Sequence, residues 1–215
     1  MHRSRRFVPR LLKRTFELFL VALCAILMLV PMLGICLLLL VAQGRPIFFG
    51  SRRVGLHGHA FTMWKFRTMT SVRDDTGVSG ADKRERITPI GVWLRANRLD
   101  EFPQLWNILC GNLSFVGPRA PLPEYYTDFP ELYRQVLQVK PGITGLATLR
   151  YHAREEAVLA TCVTPEETDA AYRRVCIPRK VHLDLIYARN WSFCFDLALM
   201  WETLIILLRR GFGKF

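Results

Sequence analysis

Leu18 to Ala42 is an uncharged, almost wholly apolar run of 25 residues, and no other feature limits the fold of this chain so strongly. As an α-helix rising about 1.5 Å per residue, it is long enough for a hydrocarbon core of roughly 30 Å. A cleaved signal peptide would have an apolar region of roughly 7–15 residues ending at small residues. Val41-Ala42-Gln43-Gly44 matches that poorly. Basic residues flank both ends: Arg3, Arg5, Arg6, Arg10, Lys13 and Arg14 before the run, then Arg45, Arg52 and Arg53 after it. Positive flanks favour the cytoplasm, so a single crossing would place one cluster on the wrong side. Pro31 stands mid-run, with Gly34 close behind. Proline removes a backbone donor and kinks a helix. The reading is therefore a basic N-terminus and kinked, re-entrant membrane helix over 1–45, with both ends on one face. A plain kinked crossing is the alternative that hydropathy alone allows.

The full chain has 215 residues and a net charge of +12, and half of that charge sits in residues 1–14, which hold no acid. The length allows one domain, 46–215, beside the membrane segment. Six scattered cysteines form no C-x-x-C pair, which argues against zinc and a disulfide framework. The fold class read from the pattern is α/β, mainly helical with a small β-hairpin. Pro46–Val54 and Ala60–Arg67 supply its strands around a turn at Gly55-Leu56-His57-Gly58. Period-two alternation puts Lys65 and Arg67 on one face of the second strand and Trp64 and Phe66 on the other. Residues 70–88 read as an exposed polar loop. Ile90–Cys110 reads as helical, with a new helix starting near Leu99–Asp100, Pro103 in its first turn and Gly111 ending it. Asn112–Pro123 and Lys140–Gly145 read as loops. The chain closes with two helices, roughly 180–189 and 193–209. The second has a broad apolar surface, interrupted by Asp196 and Glu202, that suits an amphipathic helix in the membrane interface.

Asp100-Glu101 leads the candidates for chemistry. At a helix start, adjacent carboxylates can divide labour, one attacking phosphorus and one holding a divalent ion. A simple cap is the competing reading. Lys65, Arg67, Arg95, Arg98 and Arg119 share the same segments, and arginine forks suit phosphate oxygens. A solvated basic face against anionic lipid is the alternative for any one of them. His57-Gly58-His59 lacks further metal ligands nearby. No Walker loop, G-x-S-x-G or G-x-G-x-x-G is present. Nucleic-acid binding lacks a module and leaves the apolar run unexplained.

Together these segments resemble the bacterial sugar transferases, the monotopic polyprenol-phosphate phosphoglycosyl transferases. Six pieces in order carry the likeness: Lys13-Arg14 before the Pro31 helix, Pro46-Ile47-Phe48-Phe49 with Arg53-Val54-Gly55, Lys65-Phe66-Arg67-Thr68-Met69, Leu94-Arg95 with Leu99-Asp100-Glu101-Phe102-Pro103-Gln104-Leu105 and Asn107, Gly111–Arg119, and Pro141–Gly145. The resemblance implies transfer of a sugar-1-phosphate from a UDP-sugar to polyprenyl (undecaprenyl) phosphate with release of UMP, starting surface-polysaccharide synthesis. It implies Asp100 as nucleophile through a covalent phosphosugar intermediate and Glu101 as a Mg²⁺ ligand. Lys65, Arg67, Arg95 and Arg119 would contact phosphate or nucleotide. It places the catalytic domain on the cytoplasmic face of the bacterial inner membrane, in contact with lipid, and allows a homo-oligomer. Glu17 stands where an Asp is common, Arg98 where a Ser is, and Ala120 where a Pro is. Two other functions remain open: a non-catalytic membrane scaffold for glycan enzymes, and a membrane-bound UDP-sugar phosphodiesterase using the same acids with water.

Overall fold

A computed structural model describes residues 7–70 and 85–212. Most of the loop expected over 70–88 lies outside them. The apolar run belongs to α1 (Phe7–Gln43), in which helical structure continues through Pro31 rather than stopping there. It is the one helix among the described residues long and apolar enough to cross a membrane. Its side chains divide by position along the helix. Val21 packs with Met63, Ile108 and Leu113, while Ile35 and Leu39, half the helix later, pack with Phe66 and Leu94 of the same body. Between them Leu23, Ile26, Leu27, Leu29, Val30 and Leu33 are exposed. Both ends of the apolar stretch thus dock on protein, and its middle is left for a non-aqueous solvent.

The hairpin forms as the alternation suggests. Strands β1 (Phe48–Val54) and β2 (Ala60–Phe66) pair antiparallel, Phe48 opposite Phe66 and Val54 opposite Ala60. His57 (φ 55°) and Gly58 (φ 85°) take left-handed backbone conformations to close it, so His57-Gly58-His59 shapes a turn. Helix α2 (Pro89–Ala96) is capped by Thr88, whose hydroxyl accepts from the Gly91 N–H. A 3₁₀ turn, Leu99–Glu101, leads into α3 (Gln104–Leu109), which ends at Gly111 (φ 82°).

Two segments read as loops contain a second sheet. Strands β3 (Ser114–Val116) and β4 (Gly142–Thr144) pair in parallel. Three residues are too few to show a period of two, and a parallel partner lies far along the chain. Glycine makes the pairing possible. A Cβ on Gly142 would lie 2.1 Å from the Gly117 nitrogen, and one on Gly117 would lie 2.2 Å from the Lys140 carbonyl oxygen. Between these strands, α4 (Pro123–Asp128) and α5 (Pro130–Val136) pack Tyr125, Tyr133 and Val136 into the main core.

The C-terminal part comprises α6 (Leu146–Leu159), α7 (Pro165–Ala171), a π-helical turn Tyr172–Cys176, α8 (Ile177–Arg189) and α9 (Phe193–Phe212). The last two begin and end within about three residues of expectation. Helix α9 buries Leu199 and exposes Leu197, Trp201, Leu204 and Leu208. Asp196 is a joint rather than an interruption. It is buried, its Oδ2 lies 2.8 Å from Lys13 Nζ of α1, and it accepts from the Tyr187 hydroxyl and the Trp191 indole N–H at 2.7 and 3.0 Å. Lys13, one of the basic residues before the apolar run, points inward and also donates to the Val116 carbonyl.

Candidate active site

The turn that carries Asp100 and Glu101 starts from a strained residue. Arg98 has φ 58°, a left-handed conformation uncommon outside glycine, and it turns the chain from α2 into the 3₁₀ turn. Both carboxylates are buried, at 7% and 8% exposure. Isolated carboxylates are not left buried without compensation.

Lys65 supplies most of it. Asn107 of α3 completes the edge of β2: the Trp64 N–H donates to its Oδ1 at 3.0 Å, and its Nδ2 donates to the Thr62 carbonyl at 2.7 Å. Strand β2 is thereby clamped along α3, and Lys65 Nζ sits 2.7 Å from Glu101 Oε1. Arg98 Nη1 lies 3.8 Å from the other oxygen. Burial alone would raise the Glu101 pKa, but Lys65, Arg119 and Arg98 outweigh it and bring it down to about 2. Asp100 moves the opposite way. Burial, reinforced by the Glu101 charge, raises its pKa against the partial offset of Lys65, Arg95 and Arg98. Two neighbouring carboxylates thus differ in character, one held firmly ionised and one poorly solvated, the division of labour that paired acids use.

Arg119 approaches from the β3 side on a loop pinned at several atoms. Arg53 donates to the Ala120 carbonyl at 3.2 Å, the Val54 N–H to the Pro121 carbonyl at 3.0 Å, and the Gly142 N–H to the Pro118 carbonyl at 2.9 Å. The Arg119 backbone N–H itself donates to Asp184 of α8. Burial would lower the Arg119 pKa, but the charges of Glu101 and then Glu155 outweigh it and raise it. Arg95 donates from Nε to the Thr68 hydroxyl at 2.8 Å and acts on Asp100.

Asp100, Glu101, Lys65, Arg95 and Arg119 are therefore brought together. Arg67 is not. Although it shares a strand face with Lys65, its guanidinium donates to the carbonyls of Gln43, Gly44 and Arg45 and closes the C-terminus of α1. A helix end leaves carbonyls without donors, and this arginine satisfies them. Its assignment to phosphate binding gives way to that structural role. Arg98, one of the cations expected to suit phosphate oxygens, pairs with Glu101. Other participants have no role that the sequence suggests. Arg53, its pKa lowered to about 10 by burial and by Arg119, backs the loop. Lys180 of α8 meets both oxygens of Glu155 of α6 at 2.8 and 3.0 Å. His152 has its pKa lowered by burial and by Arg98. The last three come from helices 50–80 residues away in the chain, and no local spacing signals them.

The cluster carries more positive than negative charge around two acids, an arrangement suited to phosphate esters. Mg²⁺ commonly takes one or two protein carboxylates and completes its shell with substrate phosphates and water. The Asp100–Glu101 pair fits that donor set. No group of three or more His, Cys, Asp or Glu that could cage an ion forms among the described residues.

Comparison with known proteins gives the same direction. The chain is 38% identical over 160 residues to an uncharacterized sugar transferase, EpsL, of Bacillus subtilis, covering 74% of this chain and 69% of that protein. It is 36% identical over 183 residues to the UDP-glucose:undecaprenyl-phosphate glucose-1-phosphate transferase of Xanthomonas campestris pv. campestris, covering 82% of this chain but 34% of that one. It is 34% identical over 211 residues to the exopolysaccharide production protein PSS of Rhizobium leguminosarum bv. phaseoli, covering 94% and 98%. The chain thus spans about a third of the Xanthomonas protein and nearly all of the Rhizobium one. The bacterial sugar transferase family matches residues 8–210, a span that includes every residue of the carboxylate cluster, and the chain belongs to that family.

Proposed function

We propose that the chain is a membrane-anchored phosphoglycosyl transferase that moves a sugar-1-phosphate from a UDP-sugar to undecaprenyl phosphate. The buried Asp100–Glu101 pair inside a frame of Lys65, Arg95, Arg98 and Arg119 carries this reading. It is supported by relatives named as undecaprenyl-phosphate sugar phosphate transferases. Asp100 Oδ attacks the sugar-bearing phosphorus, the bond to the UMP phosphate oxygen breaks, and UMP leaves. The lipid phosphate oxygen then attacks the resulting acyl phosphate, giving the lipid diphosphosugar and freeing the carboxylate. Burial of Asp100 leaves it weakly solvated and reactive, while the arginines hold the charge that spreads over the phosphate oxygens. Glu101, kept ionised by Lys65, would bind Mg²⁺ together with the diphosphate, and that ion would offset charge on the leaving UMP.

Membrane geometry completes the proposal. Both ends of the apolar part of α1 pack on one body, which supports a helix that enters and leaves on the cytoplasmic face of the inner membrane. Asp100 then lies at the depth of a lipid phosphate. The test is UMP release by the purified chain given a UDP-sugar, undecaprenyl phosphate and Mg²⁺. Asp100→Asn should lower turnover by about 10³-fold or more, as for lost nucleophiles. Normal turnover in that variant would remove Asp100 from the chemistry.

A further inference from the structure

At the basic end of α1 three cations meet, and one of them has no bonded partner among the described residues. Lys13 is taken up by Asp196. Arg14 donates to the carbonyls of Ile108 and Leu109 at 2.7 and 2.9 Å and has Glu17 at 3.8 Å. Lys140, from the loop before β4, is half-buried, and no carboxylate or carbonyl among the described residues accepts from it. Burial and Arg14 lower its pKa, and Glu17 and Lys13 act on it in opposite senses, so the net effect of its surroundings disfavours the charge. Gly111 forms the floor. A Cβ there would lie 3.5 Å from Lys140 Nζ and 3.8 Å from Arg14 Nη2, so the missing side chain leaves a space bounded by both cations.

The depth of this space identifies its guest. Arg14 stands one helical turn before the apolar run begins at Leu18. Helix α3, whose last carbonyls Arg14 holds, exposes Trp106 (60%) and Leu109 (46%) next to the site. Tryptophan and arginine at the edge of an apolar helix belong at headgroup level. Anions at that level are phosphates of lipids. We propose that Arg14 and Lys140, over the open face of Gly111, form a binding site for one lipid phosphate, separate from the Asp100–Glu101 pair. The site does not rest on the transferase reading, since it needs no sugar nucleotide and no catalytic carboxylate.

The experiment is native mass spectrometry of the full chain extracted in mild detergent and supplied with phosphatidylglycerol, undecaprenyl phosphate or uncharged diacylglycerol. Lys140→Gln removes the unpaired cation. Gly111→Asn keeps Lys140 and fills the space with a residue that tolerates a left-handed backbone. The wild type should retain one phosphate-bearing lipid and no diacylglycerol. Each variant should retain about fivefold less, as expected for one cation at a membrane surface, with thermal midpoints close to wild type. Preference for phosphatidylglycerol assigns the site to bilayer lipid, and preference for undecaprenyl phosphate assigns it to the acceptor; both uphold it. Asp100→Asn should retain lipid like the wild type even if it abolishes UMP release. Equal retention by wild type, Lys140→Gln and Gly111→Asn overturns the proposal. So does equal retention of diacylglycerol, or loss of lipid in Asp100→Asn.

Discussion

Removing the Lys13–Asp196 pair should detach α1 from α9, and the structure sets the scale of the effect. The two side chains are 16% and 5% exposed and 2.8 Å apart, so neither can recover water when the other is lost. Breaking a buried pair from one side costs about 3–5 kcal/mol, because the survivor stays desolvated and uncompensated. Asp196→Ala should fall in that range, since it also takes the acceptor of the Trp191 N–H and leaves the Tyr187 hydroxyl only the Val116 carbonyl. For a chain of this size it would lower the thermal midpoint by roughly 6–20 °C. Lys13→Met should cost less, because Asp196 keeps those two donors. The pair is then tested as a pair. With Asp196→Asn as the other single variant, the Asp196→Asn/Lys13→Met double variant leaves an amide oxygen for Tyr187 and neither charge of the pair, so it should be at least about 2 kcal/mol more stable than the Asp196→Asn and Lys13→Met costs together predict. Apparent midpoints of the four proteins, at one scan rate in one detergent, supply the cycle. Additive costs within about 0.5 kcal/mol would refute the claim that this contact joins α1 to α9.

Three other outcomes follow from the same coordinates. Asp184, its pKa pushed up to about 7 by burial against the offset of Lys180 and Arg119, binds its proton more tightly folded than unfolded. Stability should therefore fall as pH rises from about 4 to 7, by up to about 4 kcal/mol, and Asp184→Asn should flatten that slope and exceed wild type at pH 8; parallel pH profiles of the thermal midpoint would contradict it. Gly142→Ala places a Cβ 2.1 Å from the Gly117 nitrogen, so it should part β3 from β4, cost about 3 kcal/mol or more, and lower UMP release through displacement of Arg119; an alanine variant with wild-type midpoint and turnover would show that the strands can slide. Single cysteines placed near residues 5 and 55 should label from the same side of intact cells, and labelling from opposite sides would rule out a re-entrant α1.

The legible parts of this protein are those whose signal is local. Leu18–Ala42 announces its solvent by length and composition, the hairpin by alternation around Gly55–Gly58, and Asp100-Glu101 by a helix restart with Pro103 just inside it. What stayed hidden depends on pairing across long separations. Strands of three residues at Ser114 and Gly142 show no period, and only their glycines hint that two backbones meet. Glu155 and Lys180 sit on the polar turns of ordinary helices until α6 and α8 pack together.

Cations resist sequence reading for a more specific reason. A basic chain beside a membrane invites the view that each Lys or Arg faces phosphate, yet helix ends compete for the same donors. The C-terminus of α1 leaves carbonyls at Gln43 and Gly44, and it takes Arg67. The end of α3 leaves those of Ile108 and Leu109, and it takes Arg14. Lys13 goes to Asp196, and Arg53 to the Ala120 carbonyl. Arg14 keeps N–H donors beyond the two that these carbonyls take; at the other three, a dissolved or lipid-borne phosphate would have to displace a bond that is geometrically fixed. The cations available to ligands are those whose fixed partners are few or are themselves part of the chemistry. Lys65 and Arg98 answer to Glu101, Arg119 feels the charge of Glu101 and Glu155, and Lys140 makes no hydrogen bond or ion pair among the described residues. Separating the two classes requires knowing where every orphaned carbonyl lies, which is a property of the folded chain.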